Sequence, residues 1–346
     1  MKVSANIENM RTWIMLLFAS VAICSCDSIL DEPKADCSVS YKVKFKYDYN
    51  MKYADAFAHE VKSVTLYAFD KDGKLAFQRI ESGEALAKED YSMPVDVEPG
   101  DYDLLAWAGL DGEESFAVPI LQLGESTMDG LTCTMNRKYG AITRAGSSTA
   151  YVDEDLRPLF HGQVKRQVFT RAANNQIVTV PLVKNTNNVR IVLQHLSGET
   201  VDVSKFTFTI EDENGLMNYD NTLLRDEKLT YLAWRTDQGT AEMEPNSRAM
   251  TSVGVAIAEL TVGRLVKDNK PMLRIYNDKD ALVLSIPLID YALLVKGYYN
   301  HAMTDQEYLD RQDEYNMTFF LDENDSWVNS VIMINGWKIV LNDVEL

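Results

Sequence analysis

Hydrophobic and polar residues alternate along much of this chain with the period of two that is typical of β-strands. The clearest case is residues 39–49, where Val, Tyr and Phe residues alternate with serine, lysines and aspartate. Alternation over this length predicts a strand with one face in the core and the other in solvent.

Further strands are predicted by similar patterns and by the turns between them. Val61–Asp70 and Leu75–Ile80 flank the sequence Lys-Asp-Gly-Lys, which favours a hairpin. A Pro-Gly turn at 98–101 precedes an apolar run at 102–108. The remaining strand candidates are residues 177–183, 189–193, 206–210, 256–265, 272–276, 282–287, 317–321 and 331–341.

Few segments depart from this pattern. Residues 136–175 are predicted to be a long connection, interrupted by 156–162. Ala54–Val61 is predicted to be a helical turn or loop. Thr304–Glu307 reads as a capping box that begins a short helix, which we expect to continue to about Tyr315. The sequence therefore predicts an all-β protein with a small helical content.

The first 25 residues have the features of a secretory signal. A head with two basic residues precedes an uncharged apolar run at 13–23, which is shorter than the roughly 20 residues of a spanning helix. Cys26 follows the small residue Ser25, as in the lipobox of acylated lipoproteins. We expect a signal at 1–25, lipidation at Cys26 and a polar spacer at 26–36, with plain secretion as the alternative.

Length and charge limit the classes of protein that fit. The part of the chain after the signal is long for one hydrophobic core, so two domains are expected, at 37–183 and 184–346. The net charge of −18 and the scattered basic residues argue against a nucleic-acid partner.

Three cysteines remain after the signal, and two of them could pair. If Cys26 carries lipid, Cys37 and Cys133 are an even pair in an oxidising compartment. The alternatives are a disulfide and two unpaired buried thiols.

The sequence does not indicate a catalytic or metal site. His59, His161, His195 and His301 are scattered and lack metal-type spacing. The acidic run 322–325 could supply oxygen ligands to Ca²⁺, but it lacks the glycine and the distal Glu of an EF-hand loop, and such a run is more often a solvated turn. The 17 tyrosines could form a sugar-binding face, or could fill half-buried strand positions. We therefore expect no enzymatic activity, metal or cofactor.

Six short motifs connect the chain to a known family. They are YKVKFKYDYN at 41–50, VTLYAFD at 64–70, PLFHG at 158–162, PLVKNTNN at 181–188, DQEYL at 305–309 and NGW at 335–337. In their order and spacing they resemble the FimB-type, fimbrillin-A-associated anchor proteins of fimbriae in Gram-negative anaerobes.

The resemblance implies two tandem transthyretin-like β-sandwich domains, outer-membrane lipidation and a position at the base of a fimbrium. Fimbriae of this type polymerise by strand exchange, in which a strand of one subunit completes the sandwich of the next. We expect the anchor to keep its first strand, Val39–Tyr49, and to engage shaft subunits through 331–346. The alternatives are a surface glycan-binding lipoprotein, a fimbrial tip adhesin and, least favoured, a lipoprotein hydrolase.

Overall fold

The computed structural model describes residues 40–110, 112, 115–141, 150–171, 175–243, 251–297 and 302–340. These residues are mostly in strands, which confirms the all-β prediction. None of the helices in these ranges is long and apolar enough to cross a membrane. The predicted signal and spacer, with Cys26 and Cys37, lie outside the described residues.

The strands in chain order are β1 (Ser40–Lys46), β2 (Ser63–Asp70), β3 (Leu75–Ser82), β4 (Met93–Val95), β5 (Gly100–Ala108), β6 (Phe116–Ala117), β7 (Cys133–Met135), β8 (Lys138–Tyr139), β9 (Ala150–Val152), β10 (Phe160–Phe169), β11 (Asn175–Lys184), β12 (Thr186–His195), β13 (Phe206–Asp212), β14 (Leu216–Met217), β15 (Leu229–Leu232), β16 (Arg235–Met243), β17 (Thr251–Gly263), β18 (Met272–Asn277), β19 (Leu282–Pro287), β20 (Glu314–Leu321), β21 (Trp327–Ile334) and β22 (Trp337–Val340). The α-helices are α1 (Phe57–Glu60), α2 (Leu288–Leu294) and α3 (Asp305–Arg311). Short 3-10 turns occur at Gly83–Ala87, Met128–Gly130 and Val203–Lys205.

The first sheet has the strand order β3-β2-β5-β10-β11-β1-β4. Strand β11 changes partner along its length, because residues 175–181 pair with β1 and residues 182–184 pair with β10. Gly162 permits this crossing, since a Cβ there would lie 2.6 Å from the Pro181 carbonyl oxygen. Apolar side chains of β1, β2, β5, β10 and β11 pack together as its core, and we call this unit the first sandwich.

Two further sheets enclose a second core. Their strand orders are β16-β17-β12-β20-β21-β22 and β19-β18-β13-β15-β9-β8. Alternate residues of β12 and β13, including Ile191, Phe208 and Ile210, are buried between them. This arrangement is a β-sandwich, in which inward residues interdigitate and outward residues meet solvent.

The segment before β10 contributes to both parts of the fold. Strands β6 and β7 form a small sheet with β14, while β8 and β9 extend the third sheet through a parallel pairing of β9 with β15. A cut at 183–184, the predicted domain boundary, would therefore leave two strands of the second sandwich on the first segment. That boundary stays a prediction.

Several predicted elements are confirmed. Strand β1 alternates between buried and partly exposed residues, as the sequence pattern indicates. The β2–β3 hairpin turns at Gly73, which has a φ of 72°. At the start of α3, the Thr304 hydroxyl oxygen accepts a hydrogen bond from the Glu307 N–H at 3.1 Å.

Three predictions are wrong. Residues 136–175 are not mainly a connection, because β10 lies within them and pairs with β5. Helix α3 ends at Arg311, and Tyr315 belongs to β20. Residues 331–341 are not one strand, because Asn335 and Gly336, with φ of 48° and 81°, form the turn between β21 and β22.

Candidate assembly surfaces

Strand β1 lies inside the first sheet and is paired on both sides. It makes seven parallel register pairs with β11 and three antiparallel pairs with β4. Its inward side chains Tyr41, Val43 and Phe45 are almost fully buried. The Tyr41 ring stacks on Phe169 with a centroid distance of 4.4 Å. Opening this position would require breaking a ladder and exposing a core, so β1 is fixed in its own sheet.

The last described strand, β22, has a neighbour on one side only among the residues that the structure describes. It pairs with β21 at four positions and forms an edge of its sheet. The turn before it is tied to β20, because Asn335 N–H donates to the Asn316 carbonyl and the Asn316 N–H donates to the Asn335 side chain at 2.7 Å. Trp337 at the start of β22 is 57% exposed, whereas Ile339 packs against the core.

The other sheet edges are less suited to accept a strand. Strand β4 has three residues, and Pro94 in its centre has no N–H. Strand β3 is covered at its start, where the Leu75 N–H donates to the Ser126 carbonyl at 2.9 Å. Strand β19 ends in Pro287, and β8 has two residues.

Strand β16 is the remaining long edge. Residues 235–240 are exposed on both faces and polar, so an added strand there would gain backbone hydrogen bonds and little apolar burial. Polar and charged side chains on edge strands are a common protection against unwanted pairing. Strands β22 and β19 are therefore the described edges that combine an open side with an apolar inner face, through Ile339 in β22 and through Leu284 and Ile286 in β19.

The two sandwiches are joined by buried ionic contacts that the sequence analysis did not foresee. The Lys184 ammonium at the end of β11 lies 2.6 Å from the Asp313 carboxylate and 3.2 Å from the Glu60 carboxylate. Burial lowers the pKa of Lys184, but the two carboxylates raise it further, so its pKa is above the ordinary value. Lys184 therefore stays charged and holds α1 of the first sandwich to the start of β20.

Arg311 forms a second contact between the two sandwiches. Its guanidinium lies over the rings of Tyr49 and Tyr53, at 4.0 and 5.1 Å from their centroids. The Arg311 carbonyl accepts a hydrogen bond from the Met51 N–H at 3.2 Å. These contacts place the end of α3 against the loop that follows β1.

His161 also lies between the two sandwiches. Its side chain is on the face of the first sheet opposite to that of Lys184. Its Nε2 lies 2.8 Å from the Tyr219 carbonyl oxygen, and its ring packs edge-on against Trp107 at 4.7 Å. Burial lowers the pKa of His161 to about 4. The neutral imidazole donates to Tyr219, a loop residue of the second sandwich.

The structure separates the other residues that the sequence singled out. Cys133 is buried in β7, and burial raises the pKa of its thiol. Its predicted partner Cys37 lies outside the described residues, so the disulfide stays a prediction. His59 is exposed on α1, His195 lies 3.0 Å from the Asp325 carboxylate, and His301 is outside the described residues.

The acidic run 322–325 forms a turn. The Asp322 carboxylate accepts hydrogen bonds from the N–H groups of Asn324 and Ser326, at 2.8 and 2.9 Å. Within the described ranges, no cluster of histidine, cysteine or acidic residues is arranged to hold a metal ion. The exposed aromatic residues include Tyr53 in the loop after β1, Tyr139 in β8 and Trp337 in β22.

Comparison with known proteins identifies the family. A family model described as fimbrillin-A associated anchor proteins Mfa1 and Mfa2 matches residues 33–343. The chain belongs to this family. The resemblance found in the short motifs is thereby confirmed, and membership places the protein among fimbrial components at the cell surface.

Individual relatives of this fimbrillin-A-associated chain support the same conclusion. The minor fimbrium anchoring subunit Mfa2 of Porphyromonas gingivalis is 22% identical over 223 residues. The match covers 63% of this chain and 63% of that protein, so the chain spans less than two thirds of that relative.

Solved structures share the fold. A candidate adhesin from Bacteroides thetaiotaomicron is 34% identical with a TM-score of 0.76, covering 87% of this chain and 97% of that one. A candidate polysaccharide-binding protein from the same organism is 31% identical with a TM-score of 0.72, covering 88% and 99%. The fimbrial anchor protein Mfa2 from Porphyromonas gingivalis is 16% identical with a TM-score of 0.63, covering 87% and 98%, and shows the likeness of fold alone.

Proposed function

We propose that this protein is a lipid-tethered anchor subunit at the base of a fimbrium, which holds the shaft to the outer membrane and ends its growth. The observation that carries the proposal is the contrast between the two described ends of the chain. Strand β1 is paired on both sides, whereas β22 is paired on one side only.

Strand addition explains why this contrast matters. An extended strand binds a sheet edge through backbone hydrogen bonds, and alternate side chains set the register. A subunit whose first strand is fixed in its own sheet offers no empty groove at that position. It can still pair with one neighbour through β22, so growth stops at this subunit.

Deletion of residues 338–346 tests whether β22 is the edge that pairs with the shaft. We expect fimbriae to be shed into the medium, because most of β22 is removed. The matched control is Gly239→Lys on β16, the opposite edge of the same sheet, where a Cβ meets no atom within 4 Å. Normal retention of fimbriae by the deletion variant would remove β22 from the proposal.

The lipid tether has a separate test. Mass spectrometry of the purified protein should find an acylated Cys26, and Cys26→Ser should release the protein from the membrane fraction. An unmodified thiol at Cys26 would contradict the tether and leave the pairing role of β22 open to its own test.

A tip adhesin and a glycan-binding lipoprotein remain the alternative functions. Immunogold labelling at the fibre base supports the anchor, and labelling at the tip supports the adhesin. Pull-down by polysaccharide would favour the glycan-binding role.

A further inference from the structure

The period of two in β1 places three lysines on one outward face. Lys42, Lys44 and Lys46 alternate with the buried Tyr41, Val43 and Phe45. Across the ladder they face Ile177, Thr179 and Pro181 of β11, none of which is charged. We call these six outward residues of β1 and β11 the lysine face.

The positive charge of this face is partly uncompensated. Within the described residues, Lys42 and Lys44 make no ion pair, while Lys46 contacts Asp48 at 2.6 Å. A cleft of about 340 Å³ beside the end of β1 adds Lys88 and His59, with Asp55 and Glu89 as its acidic residues. The Asp55 carboxylate is already engaged by the Tyr47 and Phe57 N–H groups, at 3.0 and 3.1 Å.

The face is unusual on this chain, whose net charge is −18. An anionic membrane repels an acidic body and attracts a local cluster of lysines within about a Debye length of its surface. Ile177, which is 57% exposed, gives the face an apolar residue beside Lys42. Lysines next to an exposed apolar residue suit the boundary between headgroups and acyl chains.

The position of the face along the chain also fits a membrane partner. Ser40, where β1 begins, lies fourteen positions after Cys26. A chain of that length reaches at most roughly 50 Å, and β1 from Lys42 to Lys46 extends about 13 Å. A body tethered at Cys26 can therefore lay the whole face on the lipid surface.

We propose that the lysine face binds the anionic phosphate headgroups of the membrane and so orients the first sandwich on it. The expected location rests on the proposed lipid tether, whereas binding to anionic headgroups does not require it. A lipid chain with an adjacent basic cluster forms a two-part anchor, which holds more firmly than either part alone.

The test uses the chain from residue 26 onward, without the predicted signal, with Cys26→Ser so that it cannot be acylated, and co-sedimentation with vesicles. We expect binding to vesicles of phosphatidylcholine with phosphatidylglycerol, little binding to phosphatidylcholine alone, and loss of binding as salt rises. Replacing the three lysines with glutamine should weaken binding on the order of a hundredfold. Replacing them with arginine should preserve it.

The matched control removes the same charge elsewhere, through Lys205→Gln, Lys270→Gln and Lys279→Gln, all exposed on the second sandwich. This control should bind as the Cys26→Ser chain does. Equal binding to both vesicle types, full binding by the glutamine variant, or an equal loss in the control would each overturn the proposal. None of these results depends on whether Cys26 is acylated in the cell.

Discussion

The first and last described strands of this protein have different surroundings. Strand β1 has neighbours on both sides and three inward residues in a core. Strand β22 has one neighbour, and its first residue is 57% exposed. The comparison teaches that a strand's freedom to accept a further strand depends on its place in the sheet.

The largest effect is expected from truncating the inward face of β1. Phe45 is 5% exposed and packs against Phe57 and Tyr91, at ring distances of 5.7 and 6.5 Å. Phe45→Ala should lower the free energy of unfolding by about 3–5 kcal/mol, because it removes buried contacts and leaves a cavity.

The matching substitution on β22 is Trp337→Ala, which we expect to cost about 1 kcal/mol or less because most of the side chain is exposed. Urea denaturation of both variants measures the difference. Equal losses in the free energy of unfolding would mean that β1 and β22 are held equally firmly.

Acidification is expected to weaken the contact between the two sandwiches. The pKa of His161 is about 4 in the folded protein, below the value of about 6.5 for an unfolded histidine. Between these values the unfolded chain binds a proton that the folded protein does not, so stability is lost as pH falls. The loss should reach up to about 3 kcal/mol near pH 4 and be absent above pH 6.5.

The variant His161→Gln should flatten this part of the stability–pH curve, whereas His59→Gln, at an exposed site, should leave it unchanged. Denaturation at a series of pH values compares them. An unchanged slope in His161→Gln would assign the acid sensitivity to other groups.

The ion pairs of Lys184 should contribute less to the free energy of unfolding. Lys184→Met leaves the Asp313 and Glu60 carboxylates without their shared cation, which should cost about 2 kcal/mol. Lys138→Met breaks pairs with Asp153 and Glu154 at a side chain that is 50% exposed, so its cost should be below about 1 kcal/mol. Denaturation that shows no difference between the two would exclude a special role for Lys184.

The smallest effect concerns the turn before β22. Gly336 has a φ of 81°, so Gly336→Ala should cost about 1 kcal/mol and loosen β22. Gly239→Ala on β16 has neither a positive φ nor a close neighbour, and it should be neutral. Hydrogen exchange of β22 amides distinguishes them, and equal exchange in both variants would show that the turn does not hold the strand.

The regular strands could be predicted because their buried and exposed positions alternate between apolar and polar residues. In β1, every second residue from Tyr41 to Phe45 enters the core, and the alternation is uninterrupted. In β10 the pattern is broken by a bulge between Val164 and Gln167, where Arg166 has a φ of 53°. Because of this shift in phase, the sequence of β10 does not show the period of two over its full length.

Other features depend on contacts between distant parts of the chain. The two-residue β8 and three-residue β9 exist because β15 lies beside them, and such short segments carry no periodicity of their own. The Lys184 and Arg311 contacts likewise join residues more than one hundred positions apart. The Asn335–Gly336 turn, by contrast, has a recognisable sequence signal that separates β21 from β22.

Hydrogen exchange with and without a purified shaft subunit tests the central claim most directly. The account predicts that β1 amides are protected in the free protein and unchanged in the complex, while β22 amides gain protection on binding. Rapid exchange of β1 in the free protein, new protection at β1 in the complex, or no change at β22 would each contradict it.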